Sequence, residues 1–265
     1  MTSPASFDIA RKGSGTKEWS EHSHNWGIGC SHDCRYCFAR QNAKRFSMIK
    51  SADEWPAERI KPGRDTIRWA KKSGVIMTPT MTDITPFYLE ESIRTFRGLL
   101  AAGNNLLIVS KPHLECIEKL CASLKQWQTQ ILFRFTIGTM DDQTAKFWEP
   151  GAPSIPERTD CLKLALKAGY ATSVSCEPLL GGYETAVELV EALEPLITDT
   201  IWIGKLNQPR RRVDCTERDV FERVQAIEHM QRDSEMLRLY DDLQDNPKVR
   251  WKESISRIVD RLEGE

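Results

Sequence analysis

Five short apolar runs, each preceded or followed by a stretch of helical period, limit what this 265-residue chain can fold into. Residues 75–80, 106–111, 131–137, 172–178 and 200–206 are near-continuous apolar runs of strand length, the pattern of parallel strands buried on both faces. A shorter run at 26–29 is the expected first strand. Between the runs, segments at 38–46, 64–72, 88–102, 114–127, 158–168 and 183–196 place apolar residues at helical spacing. Gly103 and Gly169 stand just before a strand and mark helix ends. Repeated βα units imply right-handed crossovers and a parallel sheet, open or curled. Six units do not close an eight-stranded barrel. The expected fold is therefore α/β, a partial (β/α)6 barrel of parallel strands with a helical C-terminal extension. Its expected divisions are an N-terminal extension over 1–23, the barrel over 24–215 and the extension over 216–265. In the last part Thr216 and Asn246 are candidate helix caps, and Pro247 opens the final helix.

Composition narrows the function classes. Lys and Arg number 37 against 38 Asp and Glu, a net charge of −1, which argues against a strongly electrostatic nucleic-acid binder but leaves room for a local basic groove. No apolar run reaches membrane-spanning length, and the first residues lack the apolar core of a signal peptide. The expected compartment is the cytoplasm, where thiols stay reduced. Of eight cysteines, Cys116, Cys121, Cys161, Cys176 and Cys215 are scattered through apolar patterns as small core residues.

The other three are crowded into Cys30-Ser31-His32-Asp33-Cys34-Arg35-Tyr36-Cys37. Thiolates this close do not make a relaxed disulfide framework, but they can wrap one soft metal centre. Three thiolates satisfy three irons of a cubane cluster, and the fourth iron stays open to a non-protein ligand. A zinc knot completed by His22, His24 or His32 is the alternative; the second cysteine pair usual for zinc is missing. A purely electron-carrying cluster is a further one.

The spacing Cys-x3-Cys-x2-Cys, with Tyr36 before the last cysteine, resembles the radical S-adenosylmethionine (SAM) superfamily, and the flanks resemble its spore photoproduct lyase branch. The matching stretches are GCSHDCRYCFAR (29–40), TMTDITP (80–86), IVSKPH (108–113), FRFTIGT (133–139), FWEPGAPS (147–154) and ERTDCLKLALKAGY (157–170). The resemblance implies a [4Fe-4S] cluster on Cys30, Cys34 and Cys37, with SAM chelating the open iron. One electron, from a reducing partner such as flavodoxin or ferredoxin, then cleaves SAM to methionine and a 5′-deoxyadenosyl radical that takes hydrogen from substrate. It places Tyr36 near the SAM adenine, Thr82 or Asp83 near the amino group, Lys111 near the carboxylate and Thr136 among the SAM contacts.

One position departs from that branch. Where those lyases carry a cysteine that returns hydrogen to the product radical, this chain has Thr80, whose O–H is a far poorer donor. Cys176, Tyr88 and Tyr183 are the candidate replacements. Arg210, Arg211 and Arg212 follow the last expected strand, where three guanidinium groups could hold the phosphates of a nucleotide or DNA strand; a solvated loop is the plainer reading. The expected activity is a lyase-like or isomerase-like radical reaction on a nucleic-acid base or modified pyrimidine. A small molecule or peptide substrate and a non-catalytic iron–sulfur or zinc module are the alternatives. The helical tail fits a barrel cover or a dimer contact equally well.

Overall fold

The computed structural model describes Phe7, Gly13 and residues 15–64 and 67–263, with side chains up to Arg261. A seven-stranded, all-parallel sheet forms a half-barrel in the order β1 (His22–Ser23), β4 (Val75–Thr78), β5 (Asn105–Ser110), β6 (Ile131–Thr136), β7 (Ala171–Cys176), β8 (Ile201–Ile203) and β9 (Val249–Trp251). The expected partial barrel is thus present, with one more strand than expected. The run at 26–29 is not its first strand: β2 (Gly27–Ile28) pairs antiparallel with β3 (Arg59–Ile60) outside the main sheet. The sheet edge is β1 instead, from the segment expected to be an extension; most of residues 1–14 lie outside the described residues.

The helices cover the outer face: α2 (Leu89–Ala101), α3 (Leu114–Leu124), α4 (Asp142–Trp148), α5 (Ile155–Lys167) and α6 (Tyr183–Leu193). Ahead of β4, α1 (Phe38–Arg45) follows the cysteine loop. After β8 come α7 (Pro209–Arg212), α8 (Arg218–Met230) and α9 (Asp233–Leu243), and α10 (Glu253–Glu263) follows β9. The crossovers reverse at Gly103 and Gly169, where φ is +84° and +85°, a conformation a β-carbon disfavours.

The period-two alternation of the strands divides core from site. Ile131, Phe133 and Phe135 of β6, Leu106 and Ile108 of β5, and Val174 and Cys176 of β7 belong to the core beneath the helices. The alternate residues point inward. At one end of the half-barrel Arg134 is buried with Ser173 and Thr200, 4.9 Å from the Trp19 ring and 5.5 Å from that of Trp202. The segment around Trp19 thereby plugs that end.

Two further expected elements differ. Residues 67–72 have no helix. Arg64, at the start of that segment, turns inward to Glu91 at 2.9 Å, and the Trp69 ring fills the space a β-carbon on Gly98 would need. These tertiary contacts outweigh helical propensity. In the C-terminal part, Asn246 does not cap a helix: its side chain accepts from the Lys248 N–H at 2.9 Å and turns the chain into β9. Three residues of strand are too few for a readable period.

Candidate active site

A cavity of about 760 Å³ opens over the C-terminal ends of the strands, and Cys30, Cys34 and Cys37 all line it. Their loop is held in part by backbone hydrogen bonds to neighbouring segments. The Cys30 N–H donates to Trp55 O at 2.8 Å, the Arg35 N–H to Trp148 O at 2.8 Å and the Gly151 N–H to His32 O at 3.0 Å. Two close approaches demand glycine. Gly29 has φ +92°, and a β-carbon there would stand 2.3 Å from Ala57 O; one on Gly151 would stand 2.0 Å from Ser31 O. Burial pushes all three thiols up, strongly at Cys30 and Cys34. Metal ligation, which removes the thiol proton outright, is the condition under which such thiols ionise.

The spacing of the donors decides what they fit. The three Sγ atoms do not fall within 4.8 Å of one another; among the described residues, the donors that close are those of Cys30, His32 and Asp83. A tetrahedral zinc ion, with Zn–S bonds of about 2.3 Å, would need its thiolates closer than that. A cubane, whose irons occupy separate corners, does not require its thiolates to be that close. His32 is not a free ligand either. Its Nδ1 lies 3.0 Å from Asp83 Oδ2 and its Nε2 2.9 Å from Nε2 of His113. His22 and His24 join no such group.

Tyr36, Thr82, Asp83, Lys111 and Thr136 line the same cavity. Asp83 is saturated: Oδ1 accepts from the Lys111 N–H at 2.6 Å and the Ser110 hydroxyl at 3.1 Å, and Oδ2 faces His32 and the Cys30 thiol. Burial alone would raise its pKa, but Lys111 and His32 more than offset that and hold it well below the carboxylate range. Thr82 keeps its lone pairs, donating only to Asn25 Oδ1 at 3.3 Å. Lys111 Nζ stands 3.8 Å from Asp83 and 3.9 Å from Glu149, too far for good hydrogen bonds. Burial disfavours its charge, yet the carboxylates of Asp83 and Glu149 beside it keep the ammonium protonated. Its three hydrogens remain available to an incoming anion.

Glu149 is the residue the sequence reading missed. It sits in the FWEPG segment, is 1% exposed, accepts from the Tyr36 hydroxyl and pairs with buried Arg158 at 2.6 Å. Burial and Glu149 together raise the Tyr36 pKa, so the phenol stays protonated. On the far wall Lys252, also buried, lies 2.5 Å from Glu18 and 3.1 Å from Glu177. Glu177, Lys205, Asn207 and Arg212 line that side.

The three candidate hydrogen donors are elsewhere. Cys176 is fully buried in the core under the helices, while Ser175 beside it faces the cavity. Tyr88 is buried with its hydroxyl on the carbonyls of Ile28 and Gly29, a clamp for the β2–β3 pair. Tyr183 lies at the start of α6 with its hydroxyl on Asp242 and Arg238 over its ring. None of the three lines the cavity, whereas Thr80 does. Of the arginine run, only Arg212 reaches it; Arg210 pairs with Glu228 at 2.8 Å and Arg211 is exposed.

The half-barrel of parallel strands, with a three-cysteine loop at the mouth of its cavity, is a fold that this chain shares with solved structures of spore photoproduct lyase and SuiB. The structure resembles that of spore photoproduct lyase, solved in complex with dinucleoside spore photoproduct: the TM-score is 0.57 at 16% identity, covering 92% of this chain and 79% of that one. SuiB of Streptococcus suis shares the fold at a TM-score of 0.51 and 10% identity, over 86% of this chain and 47% of SuiB. In sequence, the chain is 23% identical to the uncharacterised protein ORF301 of Acidianus two-tailed virus over 95% of its own length and 89% of that protein. No protein-family model matches the chain.

Proposed function

We propose that the chain is a radical SAM enzyme that takes a hydrogen atom from a nucleic-acid base or modified pyrimidine. The observation that carries the reading is the meeting, in one cavity, of three desolvated cysteines with Lys111, Thr82 and Thr136. Cys30, Cys34 and Cys37 would hold a [4Fe-4S] cluster, and the cavity beside them would take SAM. When bound, that pair supplies a radical able to remove hydrogen from an unactivated carbon.

The chain's own part is binding and orientation. The Lys111 ammonium supplies a charge partner for the SAM carboxylate in a site shielded from water. Thr82 offers acceptors to the amino group; the saturated Asp83 positions His32 and Lys111 rather than binding ligand. Tyr36, fixed by Glu149, presents a ring toward the adenine, and Thr136 offers a hydroxyl. With Thr80 at the cavity and, among the described residues, no other thiol or phenol there besides Tyr36 and the three ligands, dimer repair in which a protein thiol returns hydrogen to the product radical is not the favoured reaction. A lyase-like or isomerase-like rearrangement of the base fits better.

The test is anaerobic. The protein is reconstituted with iron and sulfide, reduced with dithionite and given SAM, and 5′-deoxyadenosine is assayed. Its formation supports the reading; a well-formed cluster that neither binds nor cleaves SAM rejects it.

A further inference from the structure

Helices α1 and α7 lie side by side at the rim of the cavity, and both are basic. Arg40, Lys44 and Arg45 of α1 and Arg210, Arg211 and Arg212 of α7 are accompanied by no acidic residue within either helix. The two are joined where Gln41 Nε2 donates to Arg211 O at 2.6 Å, and where the Arg212 guanidinium stands 5.0 Å from the centre of the Phe38 ring. Arg40 is neutralised by Asp33 and Arg210 by Glu228. Lys44, Arg45, Arg211 and Arg212 have no carboxylate at ion-pair distance among the described residues. Four cations without an ion-pair partner on two adjoining helices are a marked local excess in a chain of net charge −1.

Aromatic rings lie among these cations. Phe38 is 54% exposed and Phe46, 5.5 Å from the Arg45 guanidinium, is 62% exposed. Large apolar side chains this open, interleaved with unpaired cations, provide stacking faces beside phosphate-binding charges. The face also has a direction, because Phe38 and Arg212 line the cavity itself. Arg212 is partly buried at the entrance, where Glu177 lines the same side of the cavity but does not stand at ion-pair distance.

We propose that the α1–α7 face is a track for a single nucleic-acid strand, which delivers one base past Phe38 and Arg212 into the cavity. Lys44, Arg45, Arg211 and Arg212 contact phosphates, and Phe38 stacks the base at the entrance. The occupant is a single strand because its bases are already free to enter the cavity, whereas a duplex would first have to unpair and extrude one at a cost of a few kcal/mol. The proposal rests on the radical SAM reading for what happens to the base, but the binding itself needs neither SAM nor reductant.

The experiment is fluorescence anisotropy of a labelled oligothymidylate with the cluster-loaded full-length protein, anaerobic, without dithionite or SAM, across a salt series. Four phosphate contacts predict a slope of log affinity against log salt of roughly −3, from about −0.7 per contact on a single strand. Lys44→Ala with Arg45→Ala, both on the exposed side of α1 and harmless to folding, should flatten that slope by roughly 1.4. Phe38→Ala should weaken binding about tenfold and leave the slope unchanged. Binding that is absent, independent of salt, or untouched by these variants would overturn the track. Variants that slow reduction by an acidic electron carrier but leave oligonucleotide binding intact would overturn it too, assigning the face to the reductant. SAM cleavage without oligonucleotide binding sinks the track alone; binding without SAM cleavage sinks the radical reading alone.

Discussion

Nε2 of His32 and Nε2 of His113 share one hydrogen across 2.9 Å, with His32 Nδ1 held 3.0 Å from the Asp83 carboxylate. One of the two facing nitrogens must donate and the other accept. The pair thus ties the cysteine loop, which contains His32, to the segments that follow β4 and β5. His113→Phe fills the space but offers neither donor nor acceptor, and leaves Nε2 of fully buried His32 without a partner. The expected cost is about 1–3 kcal/mol in urea unfolding. Faster loss of iron to a mild chelator should accompany it, because the loop loses its tether.

Cys34→Ala removes a cluster ligand in the proposed site, and iron after reconstitution should fall well below about four per chain. Full iron content and full activity in that variant would reject the ligand assignment. Cys176→Ala is the contrast. Its side chain belongs to the core under the helices, so the variant should lose about 1 kcal/mol of stability and keep its iron, SAM cleavage and product yield.

The difference between Cys176 and Ser175 shows where sequence reading ends. Both lie in one apolar run, and that run identified the strand. Period two assigns neighbouring residues to opposite faces but does not say which face is the cavity; only the packing of Val174 and Cys176 under the helices sets the phase. The cysteine triplet was legible because its three ligands are local in sequence. Arg134 between Trp19 and Trp202, or Lys252 against Glu18, join segments remote along the chain. No local pattern announces such pairs. Glu149 lay inside a segment already singled out by resemblance, yet nothing in FWEPG says its carboxylate meets Tyr36 and Arg158.

That carboxylate carries a strong stability prediction. Glu149 and Arg158 are each 1% exposed and 2.6 Å apart. Removing one partner strands a buried charge, so Glu149→Ala should cost about 3–5 kcal/mol in denaturant unfolding. Pairing Glu149→Gln with Arg158→Met should recover a large part of that loss, because no charge is then left alone. If the double variant is no more stable than Glu149→Ala, the ion pair is not the cause.

His24 provides a pH dependence that is independent of the cluster. Its ring packs edge-on against Trp69, with centroids 5.1 Å apart, and its Nε2 is buried without a hydrogen-bond partner. Burial, then Arg64 and Lys61, pushes its pKa down to about 4 from 6.5. A histidine depressed in the folded state is protonated first in the unfolded chain, so the unfolded state binds more protons between those two values. Stability from this residue is therefore complete above pH 6.5 and declines as pH falls toward 4. The ring keeps some solvent contact, which reduces the effect to on the order of 1–2 kcal/mol. Urea midpoints at pH 7.5 and pH 5 should differ accordingly in the wild-type chain. His24→Phe, which keeps an aromatic ring against Trp69 but cannot titrate, should shrink that difference; an unchanged difference would move the acid sensitivity to another group.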